Sequence, residues 1–185
     1  MTPEQEHNLI VRIRSGHPED FSCFLECYGA RVMALVSRMV PLPEDAEELV
    51  QDAFVQAYLR LDCFGGQSRF STWIYRIAYN QTVSWLRRNK RITVEWKDDY
   101  SEPDEPVDEM MQEEEEENIA YLEQAIEQLN PDEKALIVLH YHEEHSVQEM
   151  AYILQMSAGT VATRLCRLRK KLYRVIKQIK RDEAR

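Results

Sequence analysis

One segment in the middle of the chain, VEWKDDYSEPDEPVDEMMQEEEEEN, limits every fold that the rest can adopt. Residues 93–118 hold 13 acidic side chains and 1 basic one, a local net charge of −12. Carboxylates at that density repel one another, Pro103 and Pro106 interrupt a helix, and few apolar side chains are present to bury. Such a stretch is expected to be a flexible, solvated linker rather than a packed element. It divides the 185-residue chain into an N-terminal unit, residues 1–92, and a C-terminal unit, residues 119–185. Each is small but within the range that folds alone.

The same segment explains a formal net charge of −10, which at face value argues against a nucleic-acid function. Residues 1–92 carry 11 basic and 11 acidic side chains, and residues 119–185 carry 11 and 9. Local charges of 0, −12 and +2 therefore make up the total, and the acidity lives in the connector.

Both flanking units read as helical. Only five Gly and seven Pro occur, clustered at a few points, and the intervals carry helix-period patterns without an alternating strand run. The fold class expected is all-α. Helices are predicted near 4–15, 19–40, 44–62 and 69–91, the third with Ala46, Leu49, Val50, Ala53, Phe54, Ala57 and Leu61 on one stripe. Its opposite face carries Glu47, Glu48, Asp52 and Gln56. In the C-terminal unit, Asn130 with Pro131 and Glu133 marks one helix start, and Ser146 with Glu149 marks another. After a short "SAG" turn, Val161, Leu165, Leu168, Leu172, Val175 and Ile179 form the apolar seam of a long last helix. Two helices joined by a tight Gly-containing turn predict a helix-turn-helix.

No run of about eighteen apolar residues suggests a membrane span. The acidic start lacks an apolar targeting segment, and the four cysteines show no CxxC spacing. Reduced thiols in a cytoplasmic protein are the expectation. Three histidines in HYHEEH (His140, His142, His145) lack a matching ligand set, so no metal and no cofactor is expected. The sequence holds no phosphate-cradling Gly-rich loop and no nucleophile motif, and an enzyme is not expected.

Two surfaces point to nucleic acid. The last helix places nine cations between Arg164 and Arg181 with no acid among them, whereas ordinary solvated faces mix signs. In a helix-turn-helix the start of the second helix enters the major groove, which brings Ser157, Thr160, Thr163, Arg164 and Arg167 nearest the DNA. Arg169, Lys171 and the remaining cations would follow phosphates. The second surface lies in RFSTWIYRIAYNQ. Phe70, Trp73, Ile74, Ile77, Ala78 and Trp85 share a core-facing side, while Tyr75, Arg76, Tyr79 and Asn80 lie on the other side and flank. From Cys63 to Val94 there is no acid, and Arg69, Arg76, Arg87, Arg88, Lys90 and Arg91 supply six cations. Rings among cations suit single-stranded nucleic acid. The residues alone leave open a second reading, in which both tyrosines pack against a neighbouring helix.

The stretch DAEELVQDAFVQAYLRLDCFGGQSRFSTWIYRIAYNQTVSWLRRNKR resembles region 2 of the extracytoplasmic-function sigma factors of bacterial RNA polymerase. LEQAIEQLNPDEKALIVLHYHEEHSVQEMAYILQMSAGTVATRLCRLRKKL is similar to their region 4. The resemblance implies promoter recognition within core RNA polymerase, with no membrane insertion. The helix at 44–62 would dock on the β′ clamp helices through Glu47, Glu48, Asp52 and Gln56, and region 4 would meet the β flap. The loop from Phe64 to Phe70, with Arg69, would capture a base flipped from the −10 element. Trp73, Tyr75, Arg76, Tyr79, Asn80, Arg87 and Arg88 would melt and read that element. The helix beginning near Ala158 would enter the −35 major groove, the connector would thread the polymerase channel, and a separate anti-sigma factor would regulate. Two departures stand out: Ala162 follows "GTV" where many relatives carry Lys or Arg, and "EEHS" replaces a Gly-containing loop. The alternative reading is a stand-alone helix-turn-helix regulator with an N-terminal dimerisation domain.

Overall fold

The computed structural model describes residues 1–89 and 115–183. The linker reading over residues 93–114 lies outside them, as do Lys90 and Arg91. Among the described residues every regular element is helical. The first helix described after the connector spans Glu115–Glu127.

Four helices build the N-terminal unit: α1 (Pro3–Arg14), α2 (Ser22–Met39), α3 (Pro43–Leu59) and α4 (Phe70–Arg88). A 3-10 turn at Pro18–Phe21 leads into α2, and another at Leu61–Cys63 follows α3. Local chemistry sets several starts. Thr2 and Gln5 form a reciprocal capping box on α1, and Pro3 and Pro43 occupy first-turn positions where a missing N–H costs nothing. The stripe predicted on α3 is buried throughout, from Ala46 to Leu61. The core includes Phe24 and Phe70, stacked at 3.7 Å between ring centroids, and the buried Tyr28, Leu35, Ala53 and Ile74.

The C-terminal unit holds α5 (Glu115–Glu127), α6 (Pro131–Ile137), α7 (Val147–Leu154) and α8 (Ala158–Glu183). The capping boxes at Asn130/Glu133 and Ser146/Glu149 form as their spacing predicts. A π-helical turn, Val138–His142, extends α6. The helix-turn-helix comprises α7 and α8, but glycine does not make its turn. The left-handed residue closing α7 is Gln155, at φ 55°, while Gly159 lies inside the first turn of α8. Glu144, at φ 53°, is left-handed within the unusual "EEHS" loop. Both positions carry residues that L-stereochemistry disfavours there.

The two units pack together: α7 lies across α4, and α6 lies against α2. This contact decides how much of the candidate DNA surface is visible.

Candidate nucleic-acid and polymerase interfaces

On α3, Glu47, Glu48 and Asp52 are exposed, and half-buried Gln56 accepts a 3.2 Å hydrogen bond from Gln81 on α4. The acids do not stand alone. Val55 is 51% exposed, Leu59 is 73% exposed and Tyr58 is exposed beside them. The period of 3.6 brings Glu48, Asp52, Val55 and Leu59 along one side of the helix. A charged edge beside bare aliphatics suits a helical partner better than it suits water. Sequence reasoning missed Val55 and Leu59, although two apolar residues off the core stripe were the available signal.

The flank of α4 expected to be exposed is covered. Tyr79 is 5% exposed, and its hydroxyl donates a 2.9 Å hydrogen bond to buried Asp132 on α6. Burial, then the Asp132 carboxylate, pushes the phenol pKa well up, so Tyr79 is a neutral donor. Tyr75 is 0% exposed and packs edge-on against His145 at 4.9 Å. Burial and the nearby Glu143 carboxylate raise its pKa too. The Asn80 amide oxygen accepts a 2.6 Å hydrogen bond from Gln155. The Arg76 guanidinium stacks 4.4 Å from the ring centre of Tyr152 on α7. Glu143 accepts from Arg31 of α2 at 2.6 Å. Of the two readings left open for the tyrosines, packing against a neighbouring helix describes this arrangement, and the neighbour belongs to the other unit.

Other residues of the first surface divide by exposure. Trp73 is half-buried, with ring-centre distances of 4.9 Å to Phe64 and 5.8 Å to Phe70, so it borders core and solvent. Phe64 itself is buried beneath it, contrary to an exposed contact role in this arrangement. Arg69, Arg87 and Arg88 are exposed. Arg69 pairs with Glu6 of α1 at 3.1 Å. Glu6 was not predicted to matter, although an acid in register with Ile10 and Ile13 on an apolar stripe was a legible signal.

Ser157, just before α8, and Thr160, Thr163, Arg167 and Arg169 on it are exposed. Ser157 caps the helix by accepting the Thr160 amide at 3.0 Å, and Thr163 bonds back to the Gly159 carbonyl at 2.9 Å. Arg164 is half-buried with its guanidinium against the Met156 sulfur. Arg169 donates to the Tyr141 hydroxyl at 2.8 Å. Lys171 pairs with Glu133 at 2.7 Å, which commits its charge inside the unit rather than to a phosphate in this arrangement. Among the described residues, no group of three His, Cys, Asp or Glu is arranged to hold a metal, and no helix is long and apolar enough to cross a membrane.

Comparison with known proteins gives this arrangement a family. The sigma-70 region 2 family matches residues 24–92, and the sigma-70 region 4 family matches residues 119–172. The chain is 30% identical to the RNA polymerase sigma-H factor of Pseudomonas aeruginosa, over 98% of this chain and 99% of that protein. It is 33% identical to the ECF RNA polymerase sigma-E factor of Escherichia coli K12, over 87% of this chain and 88% of that one. The fold is shared with the sigma factor RpoE of Bartonella quintana, solved in complex with the anti-sigma factor NepR. That match has a TM-score of 0.63 at 23% identity, covering 86% of this chain and 98% of the other. The chain belongs to the sigma-70 family and, within it, to the extracytoplasmic-function sigma factors of RNA polymerase.

Proposed function

We propose that this sigma factor works in the cytoplasm as a binding subunit without chemistry of its own. It brings core RNA polymerase to promoters through α3, opens and reads the −10 element with the 64–70 loop and α4, and holds the −35 element with α8. The observation that carries this reading is the division of exposed chemistry. Acid beside bare aliphatics marks α3, while exposed cations mark the end of α4 (Arg87, Arg88) and the first half of α8 (Arg167, Arg169). Unstacking a base costs a few kcal/mol, which stacking on Trp73 and contacts to Asn80 and Arg76 offset.

In the packed arrangement Tyr75, Arg76, Tyr79 and Asn80 face the C-terminal unit, so promoter reading requires α7 to leave α4. The contacts to be broken are both polar and apolar, because Tyr75 and Tyr79 are buried there and the two units share one apolar cluster. A neutral hydrogen bond contributes about 0.5–1.5 kcal/mol net, and one to a charged group about 1.5–3 kcal/mol. Docking on polymerase has to offset these bonds together with the apolar burial between the units. An anti-sigma factor fits the same logic by favouring the packed form.

Replacing Asn80 with Ala tests the −10 assignment. The variant is expected to lose roughly tenfold in discrimination between matched and mismatched −10 templates while binding core polymerase as before. Discrimination equal to that of the unmodified protein would remove Asn80 from the reading surface.

A further inference from the structure

We propose that Glu6 and Arg14 of α1 are positioning residues that set the geometry of the −10 reading loop without touching DNA; this rests on the reading of residues 64–70 given above. The loop between the Leu61–Cys63 turn and α4 contains Gly65 and Gly66, the latter at φ 68°, and both are exposed. Little within such a loop fixes its path. Two residues of α1 hold its two ends. At the first end, the Arg14 guanidinium donates to the carbonyls of Leu61, Asp62 (3.3 Å) and Phe64 (2.8 Å). One guanidinium nitrogen, Nη2, at the far end of the long side chain, makes all three contacts.

At the second end, α4 begins at Phe70 without a side-chain cap of its own. Glu6 supplies the missing acceptor from another helix: its carboxylate takes the Phe70 amide at 2.9 Å. The same carboxylate accepts from the Tyr28 hydroxyl at 2.5 Å and from Arg69 at 3.1 Å. A buried carboxylate, 3% exposed, is tolerable with three donors and the positive end of α4 around it. The two latches stand eight positions apart on α1, about 12 Å along the helix. They thereby fix Phe64, Arg69 and, through Phe64, the packing of Trp73. Residues 3–14 lie outside the segment matched to sigma-70 region 2, so this support belongs to α1.

Arg14 gives the cleaner test, because its side chain is partly exposed whereas Glu6 is buried. Full-length Arg14→Ala and Arg14→Lys proteins would be assembled with core polymerase. Each would be titrated with single-stranded −10 oligonucleotides, matched or carrying one wrong base. Arg14→Ala is expected to lose about tenfold in selectivity, with core-polymerase affinity and −35 duplex affinity within about twofold of the unmodified protein. Arg14→Lys, which keeps the charge on a shorter side chain, recovers only part of the loss. Glu6→Gln shifts selectivity in the same direction. If Arg14→Ala proves unstable in thermal melts, Arg14→Lys decides alone. A folded variant that discriminates like the unmodified protein, or that loses core affinity in proportion to selectivity, overturns the positioning role. An unmodified protein that shows no −10 discrimination is a distinct result, which removes the reading of the loop and the latch with it.

Discussion

Gln155 serves two roles that pull in different directions. It closes α7 in the left-handed region, a conformation that costs an L-residue about 1–2 kcal/mol, and its amide reaches Asn80 across the unit boundary. Gln155→Gly is therefore expected to raise the stability of the isolated helix-turn-helix unit by roughly 1 kcal/mol, read as a shift in denaturant midpoint. The same change removes the contact to Asn80 and weakens the packing of α7 on α4. A midpoint that falls would show that Gln155 is held there by contacts worth more than its strain. Residue identity hid this in the sequence. Gly159, the second residue of α8, looked like the turn, whereas the backbone reverses four residues earlier.

At the level of elements, α3 presents a face that its own fold does not use. Leu59 and Val55 contribute little to the core, so Val55→Asp with Leu59→Asp is expected to change stability by less than about 0.5 kcal/mol each. The double variant should weaken binding to core polymerase by at least roughly tenfold, measured by fluorescence anisotropy of labelled protein. Unchanged affinity would move the polymerase site elsewhere. The helices themselves were largely legible. Capping signals at Asn130 and Ser146 and the α3 stripe are local features, and local features survive into structure. The burial of Tyr75 and Tyr79 was not legible, because it depends on α6 and α7 arriving from beyond the acidic connector. Periodicity told which side of α4 faced its own domain, but not what covered the other side. Arg14 was missed for a related reason: its partners are backbone carbonyls about fifty positions away.

Across the whole molecule, the unit boundary carries a titratable group. His145 is buried against Tyr75, near Arg31 of α2 and the carboxylates of Glu143 and Glu149, and burial lowers its pKa below the ordinary 6.5. Glu149 and Glu143 oppose that shift and Arg31 adds to it. A depressed histidine pKa means that the packed form prefers neutral imidazole. Its contribution is present above pH 6.5 and is lost as pH falls from there through the depressed value. The units are therefore expected to separate more readily near pH 5.5 than at pH 7.5, seen as lower energy transfer between labels on α1 and α8. His145→Phe should flatten that dependence. An identical profile in the variant would assign the effect to other groups. The central claim, that these helices form one promoter-directing subunit, is met most directly by run-off transcription with purified core polymerase on a promoter library. Adding this protein is predicted to yield transcripts that start at a defined subset of templates. If no template gives a promoter-dependent transcript while the protein alone footprints duplex DNA, the account is contradicted.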